Sequence, residues 1–285
     1  MEELRKKLSS NYMTIAEYFN ESFSFLKIFL KKEFILSSVL LFLNGILRLG
    51  FDIRGLFLYL IIYFFIYMSL IKKVIEIIEE KKSISNKKVF GKIFLYFGAL
   101  LLIYIFTFII FVSISSIFFQ SIDPSDFSSV MKMIFIIIFF ISIASCIYMY
   151  FFMYFDTLYF SRDVNIFEAF SYNLHISKHQ RLRKLIPLMI LFSIQIIFSL
   201  VYFPNLLIIS GFLIVTKVAM FLSGLLLGLM SLYSLVLSCI IYLNVEYMDL
   251  NKKNDIEIEE TDAEKSLQDN PQSINFNFRK SEEKI

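Results

Sequence analysis

The sequence predicts an all-α protein: a polytopic integral membrane helical bundle of six transmembrane helices, with amphipathic helices on its cytoplasmic surface. Three observations predict it. Six apolar stretches without a charge recur along the 285 residues: Phe34–Leu47, Gly55–Ile71, Ile93–Phe119, Met133–Phe155, Leu185–Phe203 and Val218–Val245. A hydrocarbon core of ~30 Å takes about 20 residues at 1.5 Å each, and a soluble domain has no room to bury so many such runs. Composition agrees, with 58% hydrophobic residues and a mean hydropathy of +0.70. The third observation is where the cations fall: 24 of the 28 Lys and Arg lie in the N-terminal segment, the second and fourth loops and the C-terminal tail. Only Arg48, Arg54, Lys132 and Lys217 lie on the opposite side. Short basic loops stay inside during insertion, so both termini are expected in the cytoplasm of a bacterium, with the bundle in its inner membrane.

Residues 1–33 read as a cytoplasmic segment without the apolar core and small-residue cleavage site of a signal peptide. Within it, Thr14–Glu33 has an amphipathic pattern, with Ile15, Phe19, Ser22, Leu26 and Phe29 on one face. That face is expected in the inner interface with its Phe rings among acyl chains. The bundle occupies residues 34–248. Its first span has 14 residues before Arg48, so it is expected to continue to Phe51 with Arg48 reaching to the outer surface. The stretch from Leu185 to Thr216 is too long for one span. Pro204 and Asn205 are expected to end the fifth helix, leaving Leu206–Thr216 as an interfacial or re-entrant segment with a bend at Gly211. Asp123, Pro124 and Asp126 mark an outer turn. Residues 249–285 hold ten acidic and six basic residues, and a segment so poor in apolar mass is expected to be a disordered cytoplasmic tail.

A short pattern repeats. Thr14-Ile-Ala-Glu17 and Asn165-Ile-Phe-Glu168 each place a capping residue three positions before a Glu, the capping-box spacing, and each leads through basic residues into a span. Ser83–Lys92 is a weaker third copy, and together they suggest three helical hairpins, each introduced by a surface helix. The phrase Asn165–Ser177 resembles one that recurs in bacterial six-span families of unknown function, among them the membrane domain fused to some glycerophosphodiester phosphodiesterases. Thr14–Leu30 resembles their opening segment. The resemblance implies six helices with surface helices and carries over no catalytic residue; the soluble phosphodiesterase domain of some relatives has no counterpart in this sequence.

Candidate chemistry is sparse. No charge stands in the middle of a span, where it would mark a transport or proton pathway. Asp156 and Glu246 follow spans directly, at a level water reaches, and Asp156 is the candidate gate carboxylate. His175 and His179 stand four apart but lack further ligands, and Lys178 and Arg181 would repel a cation, so no metal site is expected. Lys178, Arg181, Arg183 and Lys184 are candidate contacts for anionic lipid head groups, together with Lys27, Lys31 and Lys32. Gly224 and Gly228 form a GxxxG, a helix-packing motif expected to act within the bundle. Tyr59, Tyr63 and Tyr67 form a stripe on the second span. Cys146 and Cys239 read as packing residues.

No Ser-His-Asp set, phosphate-binding glycine loop or pair of intramembrane carboxylates occurs, so neither an enzyme with its own active site nor a cofactor is expected. The leading expectation is a non-enzymatic protein that organises or assists lipids or envelope proteins. Its expected partners are membrane lipids and another membrane or cytoplasmic protein reached through the tail, not nucleic acid. The rival is a transporter or permease subunit for a small or amphipathic solute, with a polar cavity lined by Ser113, Ser116, Ser142 and the Tyr59 stripe.

Overall fold

The computed structural model describes residues 1–49, 53–81, 84, 85, 87–99, 102, 105, 109, 148, 150–178, 180–208 and 213–269. All regular structure among them is helical. In chain order the helices are α1 (Glu2–Ser10), α2 (Ile15–Lys32), α3 (Phe34–Leu47), α4 (Ile53–Glu79), α5 (87–99), α6 (Phe155–Ser161), α7 (Ile166–Ser177), α8 (Arg181–Ile208) and α9 (Leu213–Asp269).

The cap chemistry read from the sequence starts two of them. The Thr14 hydroxyl accepts from the Glu17 amide at 3.3 Å while the Glu17 carboxylate accepts from the Thr14 amide at 2.7 Å. Asn165 and Glu168 exchange the same pair at 2.8 and 3.0 Å to open α7. In the third copy Ser85 accepts from the Lys88 amide at 3.3 Å, a cap without the returning Glu.

α9 is the central helix. From Cys239 to Glu246 every residue is buried, the mark of a helix surrounded on all sides. Its first half packs on α3 through the GxxxG: a Cβ on Gly224 would stand 2.4 Å from the Asn44 carbonyl oxygen and 2.7 Å from the Gly45 Cα. At Gly228 the same atom would meet Asn44 and Leu41 side chains at 3.1 and 3.2 Å. The small residues thus bring two helices of one chain together. α1, α2, the end of α4, α6 and α7 gather around the second half of α9.

Among the described residues two helices are long and apolar enough to cross a bilayer, Leu58–Glu79 within α4 and Lys217–Lys252 within α9. Several expectations change against this frame. α3 stops at Leu47, 14 residues or about 21 Å, and the extension to Phe51 falls partly outside the described residues. Most of Ile93–Phe119 and Met133–Phe155 lies outside them too, as do Gly211, Cys146, His179, Ser113, Ser116 and Ser142. α8 runs to Ile208, so Pro204 and Asn205 do not end the fifth helix; a proline removes one hydrogen bond and can be carried inside a helix whose neighbouring bonds persist. Both ends of Leu206–Thr216 are correspondingly helical. The tail also departs from expectation. α9 continues to Asp269, and Asn251 donates to the Ser9 carbonyl at 2.8 Å, so the chain stays docked past Asp249 because α1 offers helix-end acceptors there. Finally, the inward face of α2 carries Tyr18, Ser22, Phe25, Leu26 and Phe29, packed on protein, while Ile15 is exposed. The Phe25 and Phe29 rings face the core because α9 supplies an apolar surface for them.

Candidate functional site

Polar side chains buried at one end of the molecule form three linked groups. The first is centred on Arg162, in the turn after α6. Its guanidinium grips Glu79 with two hydrogen bonds, 2.8 and 2.6 Å, and turns its other edge to Glu246, with Nε 2.9 Å from Oε1. Tyr242 donates to Glu246 at 2.6 Å and Tyr247 to Glu79 at 3.1 Å. One planar fork serving two carboxylates is geometry that arginine alone provides. Burial works against the Arg162 charge, and the hydrogen bonds to both glutamates outweigh it, so the guanidinium is held more firmly protonated than usual. The group ties α4, the α6–α7 turn and α9 together. Glu246, expected at a watery helix end, is buried because Arg162 and Tyr242 satisfy both of its oxygens.

Asn244 makes the second group. Its carbonyl oxygen accepts from the Met13 amide at 3.1 Å and the Tyr18 hydroxyl at 2.6 Å. Its amide donates to the Leu8 and Asn11 carbonyls at 2.6 and 2.8 Å. All four hydrogen-bonding positions of a fully buried amide are used, which pins the α1–α2 connection onto α9. Arg183 adds to this junction by lying over the Tyr12 ring and donating to the Met13 carbonyl at 3.3 Å.

The third group holds Asp156 on α6. Its Oδ1 accepts from the Tyr96 hydroxyl at 2.5 Å and from Tyr148 at 3.2 Å, and the two phenols contact each other. Burial pushes the Asp156 carboxyl up, against the Tyr96 hydrogen bond and the charge of Lys184. Lys184 is buried with its ammonium on the Met153 carbonyl and over the Tyr154 ring. Burial pulls that ammonium down to about 8, with Asp156 opposing. Beside it, Asn173 accepts from the Tyr154 amide at 2.9 Å and donates to the Phe151 carbonyl at 2.6 Å, holding the irregular turn that precedes α6.

The four basic residues singled out near α8 therefore separate. Lys178 is exposed; Arg181 stacks on Tyr150, 3.8 Å from its centroid; Arg183 is half-buried on Tyr12; Lys184 points inward and does not meet head groups. The reason is the register of the helix start: Lys184 falls on the face that Met153 and Tyr154 cover. Asp156 and Lys184, chosen for different roles, share one interior group. The Tyr59, Tyr63 and Tyr67 rings stack along α4 at 5.6 and 6.0 Å, as ring packing. His175 faces Asp249 at 3.2 Å. Among the described residues no three His, Cys, Asp or Glu side chains gather in a way that would hold a metal ion.

Sequence reading missed Arg162, Glu79, Asn244 and Asn173. A lone Asn within Ile240–Val245 and an Arg beside Asp163 were the available signals, and neither names its partner. No family model, curated protein or solved structure matches this chain.

Proposed function

We propose that this chain is a six-span protein of the bacterial inner membrane, with both termini inside, which organises lipids or envelope proteins without being an enzyme. The observation that carries the reading is the separation of two surfaces. α3, α4, α5, α8 and the first half of α9 turn large apolar side chains outward, with Ile35 77% and Ile197 61% exposed. Phe42, Leu58, Phe94 and Leu222 belong to the same outer surface. Apolar area on that scale needs a cover, and lipid covers it on all sides of a bundle. The charged, hydrogen-bonded end described above then lies at the inner leaflet, where the Lys and Arg asymmetry also puts it. Hydrogen-bonded and ion-paired side chains make that end a platform for a membrane-proximal partner.

The rival, a transporter or permease subunit, draws on one observation: a carboxylate held by two phenols, with a buried lysine close by, inside the bundle's inner end. Paired experiments separate the two readings. The lipid and protein content co-purifying with the full chain is compared with that of a chain lacking residues 253–285 and of Asp156→Asn. The organising reading expects the truncation to change the retained set and Asp156→Asn to leave it intact. A retained set indifferent to the truncation, together with solute accumulation lost in Asp156→Asn, would overturn it.

A further inference from the structure

We infer that the outer face of α2 is a binding surface for the head groups of anionic phospholipids of the inner leaflet, seated by Phe23 and Ile28 and held by Lys27, Lys31 and Lys32. The inference rests on the six-span reading and gives it a lipid class and a site.

Charge on α2 is sorted by direction. Both acids of its first half turn to one lysine of α1: Lys7 lies 2.8 Å from the Glu21 carboxylate and 3.6 Å from that of Glu17. Glu33, at the end of α2, turns to Lys73 of α4 at 3.6 Å. The three lysines of the second half are exposed, and among the described residues none forms an ion pair. What α2 leaves outward without an ion partner among the described residues is cationic.

Apolar side chains accompany them. Phe23 is 55% exposed although the opposite face of the same helix offers a packed core, and Lys27 holds its ammonium 4.5 Å above the Phe23 ring. Ile28, five residues on from Phe23, is exposed as well. A ring and a branched chain beside lysines suit the boundary where head groups meet acyl chains, because each lysine stem lies on the apolar side and its head in the charged layer.

Continuity fixes the occupant. Only Glu33, turned to Lys73, separates Lys31 and Lys32 from Phe34 and Ile35, the first exposed apolar residues of α3, so the cationic face adjoins the lipid-facing one. A soluble acidic partner would have to sit against that edge of the bilayer; an anionic head group is there already. Each cation near such a surface is worth ~1 kcal/mol, about a fivefold preference.

The chain contains no Trp, so Phe23→Trp in the full-length protein gives a single emitter at this place. The protein is reconstituted in vesicles containing brominated phosphatidylglycerol or brominated phosphatidylcholine at equal mole fraction. Quenching is expected in both, with relative association at least about fivefold in favour of phosphatidylglycerol. Adding Lys27→Gln, Lys31→Gln and Lys32→Gln should bring that ratio to about one, while Lys88→Gln, an exposed lysine already paired with Asp163 on another surface, should leave it unchanged. An unquenched, water-like emission overturns the inference. So does quenching without lipid preference, or a preference that the triple variant keeps. Loss of the preference in millimolar inorganic phosphate or polyglutamate at constant ionic strength would reassign the site to a free anion or an acidic protein. Alkaline carbonate extraction of the same vesicles reads the six-span claim separately: retained protein with unquenched emission sinks this inference alone, and released protein sinks the reading beneath it.

Discussion

Lys184 illustrates how the direction of one side chain decides its chemistry. Its charge and its place before a span suggest a head-group contact, yet the ammonium is buried beside Asp156 and bonded to the Met153 carbonyl. A lysine that titrates near 10.5 in the unfolded chain and near 8 in the fold leaves the unfolded state holding the extra proton between those values. Stability contributed by this site therefore rises as pH increases from about 8 to about 10.5, and below 8 the cost of the buried charge is constant. Lys184→Met should remove that rise. We expect the unfolding free energy of the native chain in detergent to gain on the order of 2 kcal/mol over the variant's between pH 7.5 and 9.5, before tyrosines ionise. Parallel pH profiles of the two proteins would contradict this placement of Lys184. Arg162 was illegible for a related reason. Its carboxylate partners lie 83 and 84 residues away, and no local spacing encodes such a meeting. Asn244 is similar: four satisfied hydrogen bonds reach back more than two hundred residues to the chain's start.

Among the helices, what sequence made legible is what depends on neighbours three or four residues apart. Both capping boxes occur where Thr14 and Asn165 put them, because the bonds close within one turn. The Gly224–Gly228 pair is likewise a local signal, and the close approach of α3 gives it meaning. Helix ends governed by tertiary context were not legible, hence α8 beyond Pro204 and α9 beyond Asp249. The glycines allow a direct test of packing against propensity. At Gly224 an added methyl meets backbone of α3, the Asn44 oxygen and the Gly45 Cα, and backbone cannot rotate away. The helices must part, so Gly224→Ala should lower stability by about 1–3 kcal/mol. At Gly91, inside α5, an added methyl meets nothing within 4 Å. There the substitution removes only backbone freedom of the unfolded chain and should raise stability by up to about 1 kcal/mol. Thermal unfolding of both variants in one detergent checks the contrast, and equal shifts of the same sign would refute it.

At the scale of the whole molecule, two surfaces of different chemistry must meet two different solvents. The exposed apolar side chains of α3, α4, α8 and α9 gain nothing from water, and the ion-paired end gains nothing from hydrocarbon. Six crossings satisfy both demands only if residues before the first span, in the second and fourth loops and after the sixth share one side. Cysteine labelling reads this directly. In a background with Cys146→Ser and Cys239→Ala, single cysteines are placed at Lys6, Lys87, Lys178 and Lys132. A membrane-impermeant maleimide applied to intact cells should modify Lys132→Cys alone, and the other three should react only after permeabilisation. Two crossings, by α4 and α9 alone, would leave Lys87 on the side opposite Lys6, because a single span would then separate them. Labelling of Lys87→Cys from outside would therefore mean an odd number of spans before the second loop and overturn the six-span arrangement, whereas its protection together with Lys178→Cys requires an even number of spans on each side of the second loop. A fifth cysteine at Lys217, labelled from outside while Lys178→Cys is protected, would then require the apolar stretch from Leu185 to Phe203 to cross.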